Sequence, residues 1–338
     1  MKKLIIQIPC LNEAQTLPAT LADLPKSIPG VDAIEILVID DGSRDGTSDV
    51  ARACGVDHIV RLRRNKGLAA AFQAGIDAGL KAGADFIVNT DADNQYSGHE
   101  IPKLLAPLLR GEADICIGDR NIQGLRHMSW RKRQLQRLGS WVVRQVSNTT
   151  VPDTTSGFRA YTRDAALRMT IVSEFSYTLE SIIQAGKKRM AIAHVPIAVN
   201  PRTRESRLFG SLFSYIKRSG ATIVRIYAMY EPLKIFTYVG VTIIIVGALI
   251  SSRFFYTFMT ERVTWARHLQ SLLIAGVVVI IGVQVLLIGL LADVISANRK
   301  LLEDLVYRVR SQELPAREPE RERPALTRAS DRADRWEH

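Results

Sequence analysis

The sequence predicts an α/β protein: a doubly wound, mostly parallel sheet followed by interfacial helices and two transmembrane helices. Three observations carry this. Through the first part of the 338-residue chain, short continuous apolar runs alternate with helix-patterned segments. Such runs are the mark of buried parallel strands joined by crossover helices. Three of the runs end in acidic or amide clusters, and open α/β sheets bind ligands beyond the carboxyl ends of their strands. From Leu233 to Ile295 the composition shifts to two long apolar runs.

The first strand is Lys3-Leu4-Ile5-Ile6-Gln7-Ile8, stopping at Pro9-Cys10-Leu11-Asn12-Glu13. Leu17, Leu21 and Leu24 then recur at helical spacing. The second, Ile34 to Ile39, runs into Asp40-Asp41-Gly42-Ser43, after which Asp45 or Thr47 can cap a helix over Thr47 to Cys54. His58 to Leu62 is the third, and Asn65-Lys66-Gly67 opens a helix with Ala69, Phe72, Ala74 and Ile76. The fourth, Phe86 to Asn89, ends in Thr90-Asp91-Ala92-Asp93-Asn94-Gln95. Residues two apart on a strand share a face, so Asp91 and Asp93 can address one cleft. Carboxylates this close repel unless a cation lies between them, and hard oxygen ligands suit Mg²⁺ or Mn²⁺. Alone, Asp-x-Asp reads more readily as an acidic turn closing a strand. Three polar clusters converging on one sheet edge make a nucleotide-and-metal site the better account. Neither G-x-G-x-x-G nor G-x-x-x-x-G-K-S/T occurs, which excludes dinucleotide dehydrogenases and P-loop NTPases.

The net charge of +11 gathers around the apolar runs and comes with no nucleic-acid-binding motif. Attraction to anionic headgroups accounts for it, and nucleic acid is not expected as a partner. Cys10, Cys54 and Cys116 lack metal or disulfide spacing and fit a reducing compartment. Met1-Lys2-Lys3 opens no signal peptide. The expected layout is a cytoplasmic catalytic domain over 1–204 and juxtamembrane amphipathic helices over 205–232. Two spans over 233–295 follow, then a cytoplasmic helix end with a disordered charged tail over 296–338. Leu208, Phe209, Leu212, Phe213 and Ile216 give the juxtamembrane helix its apolar face. The spans are Ile235 to Ser252 and Ser271 to Leu291, with Arg253 to Gln270 as an external hairpin and the tail starting at Ser311. Lys217, Arg218, Arg225, Lys234, Arg299 and Lys300 place both ends in the cytoplasm by the positive-inside bias. Gly282 and Gly289, seven apart, mark a packing seam within or between protomers, which leaves a homo-oligomer open.

Ile8-Pro9-Cys10-Leu11-Asn12-Glu13, Asp40 to Thr47, Asn65-Lys66-Gly67 and Asp91-Ala92-Asp93 resemble the motifs of family-2 glycosyltransferases. Thr155-Ser156-Gly157-Phe158-Arg159 and the two late spans are similar to the polyprenyl-phosphate group, which includes dolichol-phosphate mannose synthase. The resemblance covers about Lys2 to Ile295. It implies a glycosyltransferase A-type (Rossmann-like) fold in a bacterial or archaeal inner membrane. It also implies metal-dependent, inverting transfer of one sugar from a nucleotide-sugar to a membrane polyprenyl phosphate of the undecaprenyl or dolichyl type. Pro9, Asn12, Glu13, Asp40, Asp41 and Lys66 would line the nucleotide pocket. Asp91 and Asp93 would be the metal pair, with Asp91 also near ribose and Gln95 completing the coordination. Arg120, Arg133 and Arg159 would serve the phosphates, and Asp153 with the Ser156 to Arg159 run the sugar and acceptor end. Arg202, Arg204 and Arg207 stand on the acceptor side, where the usual Arg-x-x-Gly-x-Ser-Lys is altered. The Gln-x-x-Arg-Trp of processive synthases is absent, since Gln134-Leu135-Gln136-Arg137-Leu138 lacks the Trp. A rival enzyme would glycosylate a hydroxyl on another lipid or a protein, and would need Asp153 or Glu180 as base. A silent membrane scaffold is opposed by the intact Asp91, Asp93 and Gln95.

Overall fold

The computed structural model describes residues 1–120, 130–172, 177–200, 220–221, 224–225, 227–261 and 269–314. Its centre is a seven-stranded sheet in the order β3-β2-β1-β4-β6-β5-β7. The strands are β1 (Lys3–Cys10), β2 (Ala33–Asp40), β3 (His58–Arg61), β4 (Phe86–Asn89), β5 (Ile115–Asp119), β6 (Arg159–Thr162) and β7 (Ile192–Pro196). β1 pairs in parallel with β2 and β4, and β5 with β7; β6 alone runs antiparallel, between β4 and β5. The four expected strands and the mostly parallel sheet are all present. β1 and β4 are buried along their whole length, which is why their sequences are continuous apolar runs rather than alternating ones.

Helices α1 (Leu17–Ala22), α2 (Thr47–Ala53), α3 (Leu68–Lys81), α4 (Ile101–Leu109), α5 (Trp130–Ser147), α6 (Arg163–Arg168) and α7 (Tyr177–Lys187) cover the sheet. Two buried clusters result, one per face. One gathers Ile5, Ile39, Phe72, Ile87 and Tyr161 under α3 and α7; the other gathers Leu4, Ile8, Val88, Leu104 and Phe158 under α1 and α4. At roughly 1.5–3 kcal/mol per fully buried large apolar side chain, these layers hold the strand ends in register.

Beyond the sheet lie α8 (Pro232–Glu261) and α9 (Leu269–Glu313). Both contain stretches long and apolar enough to cross a membrane, with few residues buried inside the protein. Two expectations are corrected here. Arg253 to Gln270, expected as a short external hairpin between the spans, is in large part helix, because α8 continues to Glu261 and α9 starts at Leu269; residues 262–268 lie outside the described part. The tail does not start at Ser311, because α9 runs on as helix to Glu313. The glycine seam proves to lie within the protomer. A Cβ at Gly282 would come within 2.6 Å of Ile244 and 3.0 Å of the Gly240 carbonyl, and one at Gly289 within 2.6 Å of Phe236. The juxtamembrane segment up to residue 219 lies outside the described residues.

Candidate active site

The carboxyl ends of β1, β2 and β4 meet on one edge, with Cys10 opposite Asp40 and Gln7 opposite Asn89. The loops that follow are laced together. Asn12 takes up positive φ, donates its N–H to Ser43 Oγ at 2.9 Å and accepts from the Arg44 N–H at 2.9 Å. Glu13 donates its N–H to Thr47 Oγ1 at 3.0 Å and accepts at its carboxylate from Thr16 at 2.7 Å. Asp40 accepts from the Ser43 N–H at 2.7 Å and from the Ser48 hydroxyl. Burial would raise its pKa, but these bonds and Arg61 outweigh burial and hold it below the ordinary value. Asp41 accepts from the Lys66 and Gly67 N–H groups at 2.7 and 2.9 Å, tying the second and third loops. Gly42 sits at φ +77, and a Cβ there would fall 2.7 Å from the Asn65 nitrogen, so this crossing needs glycine. Asp40 and Asp41 thus build the wall of the cleft through their carboxylates. Pro9 is buried at the strand end and Lys66 is exposed at the rim.

Asp91 and Asp93 follow β4. Asp93 accepts from the Gln95 N–H at 3.1 Å, which ties two of the three expected metal-side residues into one turn. Asp91 is pushed up to about 7, first by burial, then by the Asp93 charge, with Arg120 opposing and Glu13 adding. A carboxyl shifted this way is one whose charge the site resists. Beneath it runs a buried polar column. Gln7 donates to the Asn89 side chain at 2.9 Å, and Asn89 donates to the Gly157 carbonyl at 2.8 Å and to Tyr177 Oη at 3.0 Å. The Gly157 N–H donates to Tyr96 Oη at 3.2 Å. A Cβ at Gly157 would meet Tyr177 Oη at 2.8 Å and an Asp91 oxygen at 3.2 Å. Gly157 therefore lets the chain after β5 pass against the Asp91 carboxyl.

Arg120 follows β5 and forks onto Asp153, Nε to Oδ2 at 2.7 Å and Nη2 to Oδ1 at 3.0 Å, with Thr155 Oγ1 at 2.8 Å. Burial works against the Asp153 charge, but Arg120 and Thr155 prevail and hold its pKa low. So the structure brings Glu13, Asp91, Asp93, Arg120 and Asp153 together. Arg159 is corrected: it does not face the cleft. It is fully buried and donates to the carbonyls of Ser156, Thr178 and Thr154 and to Ser181 Oγ, at 2.6 to 3.0 Å. It braces the segment leading into β6 and the start of α7. Glu180 is likewise buried and accepts from the Val172 N–H at 3.1 Å and from Gln184 at 3.1 Å. Arg133 lies on α5 with its side chain outside the described residues, as are Arg202, Arg204 and Arg207. Sequence reasoning missed Gln7, Asn89, Tyr96 and Tyr177 as parts of the site, whereas Gly157 lies in the Ser156 to Arg159 run that it assigned to the sugar and acceptor end. The polar Gln7 and Asn89 inside otherwise apolar strands were the available signal.

Comparison with known proteins agrees with this architecture. Residues 5–169 match the model of glycosyl transferase family 2, and residues 231–297 match the GtrB C-terminal hairpin. An undecaprenyl-phosphate mannosyltransferase of Micrococcus luteus is 30% identical over 216 residues, 61% of this chain and 87% of the relative. A polyprenol monophosphomannose synthase of Mycolicibacterium smegmatis is 29% identical over 212 residues, 60% of this chain and 78% of the relative. Among solved structures, glucosyl-3-phosphoglycerate synthase of Mycobacterium tuberculosis superposes with a TM-score of 0.53 at 20% identity, over 67% of this chain and 79% of the other; that likeness is one of fold. The sheet, the acidic edge and the late hairpin thus converge with sequence similarity: the chain belongs to glycosyl transferase family 2 and is a glycosyltransferase.

Proposed function

We propose that this enzyme transfers a single sugar from a nucleotide-sugar to a membrane polyprenyl phosphate, with Mg²⁺ or Mn²⁺ and with inversion at the anomeric carbon. The observation that carries the reading is the state of the carboxylates around the cleft. Asp153 is forked onto Arg120, and Glu180 is buried against the Val172 N–H. Neither stands ready as the base that a hydroxyl acceptor commonly needs. A phosphate monoester is already ionised near neutral pH and needs cationic surroundings instead. Three of the five guanidinium donors of Arg120 go to Asp153 and Thr155, which leaves the two on Nη1 outside those bonds. A planar fork fixed in this way is suited to gripping phosphate.

The donor set fits a hard divalent ion. Asp91, Asp93 and Gln95 offer only oxygen or amide ligands, and Asp91 resists carrying its charge without a cation nearby. No group of three or more His, Cys, Asp or Glu is placed to hold a metal among the described residues. Most ligands would then be donor phosphates and water, as is usual for Mg²⁺. Asp93 with Gln95 would hold the ion and Asp91 would support it. When bound, such an ion neutralises the departing diphosphate as a Lewis acid. The mycobacterial synthase, a complex with Mn²⁺ and uridine-diphosphate-glucose, supports a metal in this fold. The Asn12, Glu13, Asp40 and Asp41 loops would orient base and ribose, and residues 1–204 would act at the cytoplasmic face of the membrane.

The test offers the membrane-embedded protein a panel of labelled nucleotide-sugars, headed by a mannosyl donor because two relatives are named for mannose transfer. Acceptors are a polyprenyl phosphate and a lipid alcohol. Label should enter a mild-acid-labile lipid with the phosphate acceptor, and chelation should stop it. Asp93→Ala should lower kcat by roughly 100-fold or more. Label in the alcohol, in polymer or in protein, with none in lipid phosphate, would overturn the reading.

A further inference from the structure

Past its apolar stretch, α9 carries a second pattern. Ser296, Arg299, Glu303, Tyr307, Arg310 and Leu314 recur at steps of three or four, so they share one helix face. Every one is engaged. Ser296 Oγ donates to the Met229 carbonyl at 3.0 Å. Glu303 accepts from Arg299 at 2.9 Å and from Tyr230 Oη at 3.2 Å, and lies 3.2 Å from Lys188 Nζ. Tyr307 Oη donates to Asp164 at 2.6 Å, and the Arg168 guanidinium sits 4.1 Å above its ring. Arg310 donates to the carbonyls of Leu167 and Met169 at 3.4 and 3.0 Å and lies 3.3 Å from Asp77. The Leu314 carbonyl accepts from Arg163.

Where these contacts land matters. Carbonyls at a helix end lack intrahelical partners, and Arg310 supplies them at the end of α6. That helix begins at Arg163, directly after β6, and β6 pairs with β4. β4 leads straight into Asp91. The membrane helix is therefore fastened to the β4–β6 pair at the end opposite the acidic edge, where Thr162 lies across from Phe86. The fastening combines these polar contacts with packing of Tyr230, Tyr307 and Leu314 on the core, and a cleft of about 390 Å³, lined by Arg168, Lys188, Tyr230, Glu303 and Tyr307, opens along it. Glu303 and Arg310 are each only about one-fifth exposed, so their pairs are less screened than surface ones. Losing them should loosen the joint without removing the core of either part.

We infer that the end of α9 from Ser296 to Glu313, with Leu314 just beyond it, is a positioning strut, fixing the angle at which the catalytic domain meets the membrane. This rests on the reading that the acceptor is a membrane-anchored prenyl phosphate. Such a phosphate is held at headgroup level and meets the cleft only if the domain is held at the matching tilt. Domains within a chain otherwise move relative to one another by default, and small misplacements cost rate steeply. A short, water-soluble prenyl phosphate diffuses to the cleft at any tilt.

The experiment uses the full-length protein in lipid nanodiscs, comparing the parent with the double variant Glu303→Gln, Arg310→Gln. Steady-state kinetics are measured with a long-chain polyprenyl phosphate in the bilayer and with a short soluble one. In parallel, spin labels on Cys54, the exposed cysteine, and on Val309→Cys report a distance distribution. The double variant should broaden that distribution and lose roughly tenfold or more in kcat/KM for the bilayer acceptor. Its kcat/KM for the soluble acceptor and its KM for donor should stay within about twofold. Equal losses with both acceptors, or an unbroadened distribution, would overturn the strut. Should the parent use neither prenyl phosphate, the acceptor reading falls, while the distance measurement still decides whether α9 fixes the domain.

Discussion

Asp91 is the residue at which the charges of the cleft meet, and its behaviour with pH is testable. Its folded value of about 7 lies above the ordinary 3.8, so the folded state binds the proton more tightly than the unfolded chain. The corresponding stability is complete below about pH 4 and is lost as pH rises through 7. Metal-free protein should therefore lose a few degrees of Tm between about pH 5 and about pH 8, and Asp91→Asn should flatten that slope. A parent Tm rising across this window would contradict the assignment. Arg159 offers the opposite kind of test. Replacing it with Met strands the Ser156, Thr178 and Thr154 carbonyls that it now satisfies. We expect a loss of about 3 kcal/mol or more in denaturant titrations, with donor KM unchanged in the folded fraction. Unaltered stability with lost activity would return Arg159 to the phosphates. The contrast shows what was legible. Asp91 could be read because strand ends in such sheets are predictable from the apolar runs that precede them. Arg159 could not, because β6 is inserted between two strands and has no solvent face; the sequence holds no sign of that insertion.

At the scale of elements, the seam between α8 and α9 follows from glycines that admit close backbone approach. Gly240 and Gly247 on α8 and Gly282 and Gly289 on α9 are spaced seven apart on each helix. A Cβ on any of the four would meet the partner helix at 2.6 to 2.9 Å. Gly282→Leu must push Ile244 aside and should cost about 1–3 kcal/mol, seen as a lower midpoint in detergent melts. Gly276, where a Cβ meets nothing within 4 Å, serves as the control: Gly276→Leu should leave the midpoint in place. The glycine spacing was visible in the sequence, but it could not say whether the seam lay within a protomer, since helix spacing is the same in both cases. The helical continuation past the apolar run was expected as a cytoplasmic helix end; it reaches Glu313 rather than stopping at Ser311, because Arg, Lys, Leu and Glu are good helix formers and the Glu303 and Arg310 contacts hold them in place.

At the scale of the molecule, helix length and contact together fix which ends share a side. α9 has 45 residues, roughly 67 Å at 1.5 Å per residue, more than twice the roughly 30 Å of bilayer hydrocarbon. Its far end, from Glu303 to Arg310, touches the catalytic domain at Lys188, Asp164 and Asp77, and α8 begins at Pro232, just after Glu231 pairs with Lys187 of that domain. Both junctions therefore lie at the domain's end of the helix pair, and Glu261 and Leu269 stand at its opposite end. Lys234, Arg299 and Lys300 flank the apolar stretches on the domain's side, and from the positive-inside bias we propose that this side is the cytoplasm. Cysteine labelling reads this directly, because Cys10 and Cys116 are buried and Cys54 is exposed. In intact cells, a membrane-impermeant maleimide should leave Cys54 unlabelled until the membrane is opened. A cysteine at exposed Thr260, near the far end of α8, should label at once when tested in a Cys54→Ser background. Labelling of Cys54 from outside, with the Thr260→Cys variant protected, would turn the enzyme around in its membrane and put its acidic edge on the opposite face from the proposed nucleotide-sugar supply.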